Sequence, residues 1–150
     1  MTQPIMKRGA FRYLPCGVKV VGTPSQNVWE GELDWCRIVE RHVQFWIGDL
    51  LNYGEQAYGE KYAQAIAATG LDYGTLCNMA WVAKKVQFSS RDENVSYRVH
   101  QVSASLDEPE QAEFLAAAAR EHWTKRDAEL HLRLFKRSKS GPIPTVDGTY

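Results

Sequence analysis

Large apolar residues recur at intervals of three and four positions, and this periodicity constrains the fold more than any other feature of the chain. The residues that carry it are Val28, Leu33, Trp35, Cys36, Val39, Val43, Trp46, Ile47, Leu50 and Leu51. The spacing predicts one long amphipathic helix that begins at Thr23-Pro24, where a capping residue precedes proline. We expect it to bend or break near Gly48 and to end at Asn52–Gly54.

Strand patterns are almost absent from the sequence, so we predict an all-α fold. Five further helices are expected at Gly59–Ala68, Asp72–Gln87, Ser96–Val102, Glu110–His122 and Thr124–Arg137. Two of them begin with the spacing of a capping box, Asp107 with Glu110 and Thr124 with Asp127. The polar stretch Phe88–Asn94 is typical of a loop.

The two ends of the chain have a different composition from its centre. Residues 1–24 hold six prolines and glycines, which predicts an irregular arm with one short strand at Gly17–Gly22. Residues 138–150 hold two prolines, two glycines and few apolar groups, which predicts a disordered tail. The expected organisation is therefore an arm at 1–24, a helical domain at 25–137 and a tail at 138–150.

The centre of the chain has the pattern of a helix-turn-helix. A first helix ends before Gly70-Leu71, and a second begins at Asp72, which is a natural N-cap. In DNA-binding proteins with this pattern, the first helix braces the second, and the second places its N-terminal half in the major groove. Apolar side chains must then point inward along the second helix, as the spacing of Leu76, Met79, Ala80 and Ala83 allows. Spacing alone also fits a plain helical hairpin.

Several polar residues are candidates for contact with double-stranded DNA. Asn78 has the side chain that pairs with adenine through two hydrogen bonds, and Lys84 and Lys85 suit phosphates. Arg91, Arg98 and His100 could form a second phosphate-contacting patch, although a solvated loop and helix face explains them equally well. The full set of candidate DNA-binding residues is Asp72, Tyr73, Gly74, Thr75, Asn78, Lys84, Lys85, Arg91, Arg98 and His100.

Composition narrows the class of protein. The formal net charge is zero, so any binding to nucleic acid must come from a local patch. The three cysteines are scattered without zinc-binding spacing, and no nucleotide-binding loop or Ser/His/Asp pattern occurs. We therefore expect no catalytic residues, no metal and no cofactor. No apolar stretch is long enough for a membrane span, and the start does not look like a signal peptide, so a cytoplasmic location is expected.

The sequence also resembles known DNA-binding families. The segment "TGLDYGTLCNMAWVAKKV", with the helices that follow it, resembles the helix-turn-helix core of ParB-type partition proteins. The segments "FWIGDLLNYGEQAYGEKYAQAIAATGLDYGTLCNMAWVAKKV" and "RDENVSYRVHQVSASLDEPEQ" are closer still to the LmbU-like transcription regulators. The resemblance covers about Trp29–Arg133, with Val99-His100 where that family has two histidines. It implies a sequence-specific DNA-binding regulator.

Two hypotheses of different kinds follow. The first is a DNA-binding transcription regulator, expected to be a homodimer because one helix reads only a short half-site. Its dimer interface is predicted in the N-terminal helical region, which is rich in large apolar groups: Trp29, Trp35, Phe45, Trp46, Ile47 and Leu50. The alternative is a small phage- or plasmid-borne module that uses a helix-turn-helix fold to bind a protein partner. Zero net charge and the acidic segment Asp107–Glu113 favour this alternative.

Overall fold

In the computed structural model, residues 3–60 and 62–139 are described, and they form three short strands and six α-helices. The elements are β1 Met6–Arg8, β2 Phe11–Leu14, β3 Gly17–Val20, α1 Gln26–Tyr58, α2 Tyr62–Thr69, α3 Tyr73–Lys85, α4 Tyr97–Ser103, α5 Glu108–Glu121 and α6 Lys125–Lys139. This confirms the predicted all-α class with a short β arm. The chain divides into two compact units, and the boundary falls within α1, between Val39 and Glu40.

The N-terminal arm is more regular than predicted, because it holds three strands instead of one. The strands form an antiparallel sheet in the order β1-β2-β3. Two of its six glycines and prolines, Gly9 and Pro15, lie in the two-residue connections Gly9-Ala10 and Pro15-Cys16, and Gly9 has a φ of 55°. These two residues, which argued against a helix, are therefore part of the turns of two hairpins.

Helix α1 holds the sheet of the first unit through one polar and aromatic cluster. Glu32 accepts hydrogen bonds from the Tyr13 hydroxyl and from Arg8 Nε, the latter at 3.0 Å. The Arg8 guanidinium lies 3.9 Å from the centre of the Trp35 ring, and the Tyr13 and Trp35 rings are 5.4 Å apart. Phe11 of β2 is buried in this unit.

Helix α1 differs from its prediction at both ends and in the middle. It begins at Gln26, where Ser25 Oγ accepts from the Val28 N–H at 3.2 Å, so Ser25 and not Thr23 is the side-chain cap. It continues without a break through Gly48, which is buried, and ends at Tyr58. Gly59, which we expected to start the next helix, has a φ of 83° and caps α1 instead.

The core of the second unit lies between the end of α1 and the helices α3 to α6. It comprises Phe45, Val82, Ala83, Val86, Val95, Tyr97, Val99, Ala104, Leu106, Phe114, Leu115, Ala118 and Ala128. The buried Gln111 ties three helices together, because its Nε2 donates at 3.3 Å to the Lys85 and Ser103 carbonyls at the ends of α3 and α4. Phe45 belongs to this core, so its prediction as a dimer contact is wrong.

The helix caps follow the sequence patterns in part. Thr124 and Asp127 form the predicted capping box, with reciprocal bonds of 3.0 and 3.2 Å. Asp107 is an N-cap, but its side chain makes no cap bond. Helix α6 also runs to Lys139, beyond the predicted start of the tail at residue 138, and the tail's residues 140–150 lie outside the described residues. No helix within residues 3–60 and 62–139 is long and apolar enough to cross a membrane.

Candidate nucleic-acid interface

Helices α2 and α3 are joined by the three residues Gly70, Leu71 and Asp72. Gly70 has a φ of 73° and donates its N–H to the Ile66 carbonyl at 2.8 Å, which is the helix-ending role predicted for it. The Tyr62 and Tyr73 rings meet edge to face with their centres 5.3 Å apart. The start of α3 is therefore packed against the start of α2.

Asp72 caps α3 as the sequence predicts. Its Oδ1 accepts from the Thr75 N–H at 2.8 Å, and this hydrogen bond lowers the pKa of the carboxyl group. The carboxylate occupies an N–H group that a bound phosphate would otherwise use at a helix N-terminus. Asp72 thus fixes where α3 begins, and its charge discourages a phosphate at that end.

The two sides of α3 differ sharply in exposure. Leu76, Ala80, Val82 and Ala83 are buried, and Met79 is half-buried. Leu76, Ala80 and Ala83 were expected on this inner side, whereas Val82 was not singled out. The outward face, as we call it, consists of Tyr73, Gly74, Trp81, Lys84 and Lys85, all exposed. Thr75, Cys77 and Asn78 are half-buried at its edges.

Trp81 belongs to this face, although it was not among the candidate DNA-binding residues. It is 42% exposed, and Tyr73 is 60% exposed. Its helical spacing from Gly74, Cys77 and Lys84 puts all four on one side of α3, and this spacing separates Trp81 from the inner side.

The close contact between α1 and α3 explains why α3 presents this face outward. A Cβ built on Gly48 would lie 2.3 Å from the Met79 carbonyl oxygen, so the two helix backbones touch at this point. Beside it, Asn52 Nδ2 donates to the Ala80 carbonyl at 2.9 Å. The inner side of α3 is therefore held by the backbone and by small side chains, and its orientation is well defined.

The structure separates the basic residues that the sequence grouped together. Lys84 and Lys85 end α3, and Arg98 lies on α4; all three are exposed. His100 is fully buried, so the expectation that it contacts phosphate is corrected. Its Nδ1 bonds to the Ser96 carbonyl at 2.8 Å, and its Nε2 accepts from the Asp92 N–H at 3.0 Å. Burial lowers its pKa to about 4, which keeps the ring neutral.

Arg91 is also corrected, because its guanidinium is turned inward. Its side chain is 13% exposed and forms an ion pair of 2.8 Å with Asp49. It also donates to the carbonyls of Val86 and Ala83 near the end of α3. Because these bonds occupy most of its N–H donors, the Arg91 guanidinium is not available to bind a phosphate.

Within the described part of the chain, no three His, Cys, Asp or Glu side chains come together as a metal site requires. The three cysteines, Cys16, Cys36 and Cys77, are free thiols.

Comparisons with known proteins add one relative. No family model and no solved structure matches the chain. The chain is 37% identical over 105 residues to a protein of Streptomyces niveus named transcriptional regulator NovE. The match covers 66% of this chain and 48% of that protein, so the chain spans about half the length of the curated relative. Over most of its length, the chain is thus related in sequence to a transcriptional regulator.

Proposed function

We propose that this chain is a DNA-binding transcription regulator that recognises a specific duplex sequence by placing α3 in the major groove. The observation that carries the proposal is the outward face of α3, which is exposed while its inner side is held against α1 at Gly48. A recognition helix needs this combination of a free face and a rigid brace. The similarity to NovE supports the same class of function.

The proposed roles follow from side-chain chemistry. Tyr73, Gly74 and Thr75 lie in the first turn of α3, next to the base edges, and Asn78 pairs with an adenine. Lys84, Lys85 and Arg98 contact phosphates. Arg91 and His100 stay outside the interface. In this proposal, α2 and α3 act as a ParB-type helix-turn-helix, and the chain is an LmbU-like regulator that acts in the cytoplasm.

The proposal is tested by selecting bound duplexes from a random pool and then measuring the affinity of Asn78→Ala for the selected site. We expect a loss of about 1–3 kcal/mol and relaxed preference at one base pair. Asn27→Ala is the control, since Asn27 is exposed and lies in the first turn of α1. Failure of the parent protein to enrich any sequence would overturn the proposal.

We also propose that the regulator is a homodimer, so that two copies of α3 meet two half-sites. The support is an apolar surface of the first unit, formed by Val18 and Val20 of β3 with Trp29 and Leu33 of α1, each about half exposed. Light scattering of the parent should give twice the 17.1 kDa chain mass, and Leu33→Glu should give the single mass. Leu134→Glu is the control on α6. A parent particle of one chain mass contradicts this proposal.

A second candidate function is favoured by the aromatic groups of the outward face. Tyr73 and Trp81 are exposed there, and residues of these types anchor protein interfaces. In that case α3 would bind a protein partner and not DNA. Binding to DNA that does not weaken as the salt concentration rises, or no DNA binding at all, would favour this candidate.

A further inference from the structure

We infer that Arg91 and Asp49 are positioning residues, which set the orientation of α3 on α1 for specific DNA recognition without touching DNA themselves. This inference rests on the proposed function. It assigns to Arg91 a role different from the phosphate contact expected from the sequence.

The contacts of Arg91 leave almost no donor free. Nη1 and Nη2 bond to the two oxygens of the Asp49 carboxylate at 2.8 and 2.9 Å. Nε donates to the Val86 carbonyl and Nη2 to the Ala83 carbonyl, both at 2.8 Å. Four of the five guanidinium N–H groups are thus in use.

Two aromatic rings enclose the same guanidinium. Its Cζ lies 4.2 Å from the centre of the Phe45 ring and 4.3 Å from that of Phe88. Such cation–π contacts add to the attraction that holds the guanidinium in place. The geometry therefore fixes Arg91 in one place, between the core residue Phe45 and the turn that follows α3.

The hydrogen bonds of Arg91 reach the last turn of α3. The carbonyls of Ala83 and Val86 are at the end of α3, where a helix has no internal partners for such groups. Lys84 and Lys85 lie between these two residues in sequence. Asp49 follows Gly48, the residue at which α1 touches α3. The Arg91–Asp49 pair therefore links the helix contact to the last turn of α3, from which both lysines project.

Removal of the Asp49 charge gives a test in which the two hypotheses predict different changes in DNA binding. If Asp49 had no positioning role, removal of its negative charge in Asp49→Asn would favour DNA binding. If it positions α3, Asp49→Asn should reduce discrimination between the selected duplex and a duplex mismatched at the Asn78 base pair by about tenfold, the effect of one lost base contact. The salt dependence of binding should not change, because no phosphate contact is lost.

Arg91→Lys provides a second variant, which keeps the charge and loses the planar fork. We expect the same tenfold loss of discrimination, whereas a phosphate-contacting arginine would tolerate lysine. Glu129→Gln is the matched control, because it removes one carboxylate from the exposed pair of Lys125 and Glu129, whose N–O distance is 3.7 Å. Its discrimination should equal that of the parent.

Hydrogen exchange of the full chain without DNA separates this inference from the proposed function. In Asp49→Asn and Arg91→Lys, we expect the amide of Val86, which donates to Val82, to exchange at least tenfold faster, while α6 keeps the rate of the parent. Unchanged exchange overturns the inference. Unchanged discrimination in both variants also overturns it. Faster exchange in a chain that binds no DNA would leave the structural link in place and reject the proposed function.

Discussion

Gly48 of α1 lies against the peptide group of Met79 in α3. A Cβ built on Gly48 would be 2.3 Å from the Met79 carbonyl oxygen and 2.8 Å from the Ala83 Cβ. This close approach is a packing reason for a glycine in the middle of a helix, where glycine is otherwise unfavourable. Glycine lets two helix backbones approach more closely than any other residue would allow.

Gly48→Ala should therefore destabilise the protein, although alanine is the better helix former. We expect a loss of about 1–3 kcal/mol in the free energy of unfolding, because backbone atoms must move apart. Gly31→Ala in the same helix is the control, since nothing lies within 4 Å of its added Cβ, and it should stabilise the protein by about 1 kcal/mol or less. Urea unfolding measures both. Equal effects at the two glycines would contradict the packing explanation.

His100 should make the stability depend on pH. Its pKa is about 4 in the folded protein against 6.5 as the ordinary value, so the unfolded state binds the proton first as the pH falls. The stabilisation is complete above pH 6.5 and is lost progressively as the pH falls towards 4. This predicts a loss of about 2 kcal/mol between pH 7.5 and pH 5.

Urea unfolding of the parent and of His100→Gln across this pH range checks the prediction. The variant should be less stable at neutral pH, and its stability should fall less on acidification. A parallel decrease in both proteins would assign the pH dependence to other groups.

Lys85 provides a test of phosphate contact. Lys85→Ala should weaken binding to selected and unrelated duplexes alike, and the slope of log affinity against log salt should become shallower by about 1. Lys19→Ala is the control, because it removes the same charge from an exposed position in β3. Binding curves at three salt concentrations are sufficient. An unchanged slope would make Lys85 a solvated residue that stabilises only the end of its helix.

His122 should be a site where one substitution stabilises the fold. It follows α5 with a φ of 55°, a conformation that a side chain makes unfavourable, and it is exposed. His122→Gly should raise the free energy of unfolding by about 0.5–1 kcal/mol. His122→Ala keeps the Cβ and should give no such gain. If both variants behave alike in thermal or urea unfolding, the backbone conformation is not the cause.

Much of the helical architecture could be predicted from local signals. Apolar spacing identified α1, Asp72 was recognised as a cap, and Thr124 with Asp127 was recognised as a capping box, because a capping bond involves residues only three positions apart. The errors in the predicted fold came from glycines, a residue type that occurs in more than one kind of structural position. Gly48 was expected to bend α1, and Gly59 to begin the next helix, since glycine suits bends, helix ends and close contacts equally well.

The candidate site was less predictable. Seven candidate residues could be chosen from the sequence because they lie in or beside one helix: Asp72, Tyr73, Gly74, Thr75, Asn78, Lys84 and Lys85. Their contact with DNA stays a prediction. Arg91 and His100 were grouped with them because they are basic and near in sequence. Sequence distance does not tell whether a basic side chain turns towards solvent or towards a carboxylate 42 residues away, as Arg91 does.

The sequence by itself determined that the chain is mainly helical, that α3 begins after the Asp72 cap and which side of α3 is apolar, because these properties depend on interactions within a few residues. Only the tertiary structure decided what α3 leaves exposed and what it buries. It set Gly48 against Met79, turned Arg91 towards Asp49 and buried His100 against Phe45, whose ring centre is 5.0 Å away. Each of these contacts joins residues at least 31 positions apart, so it arises only when the helices pack together.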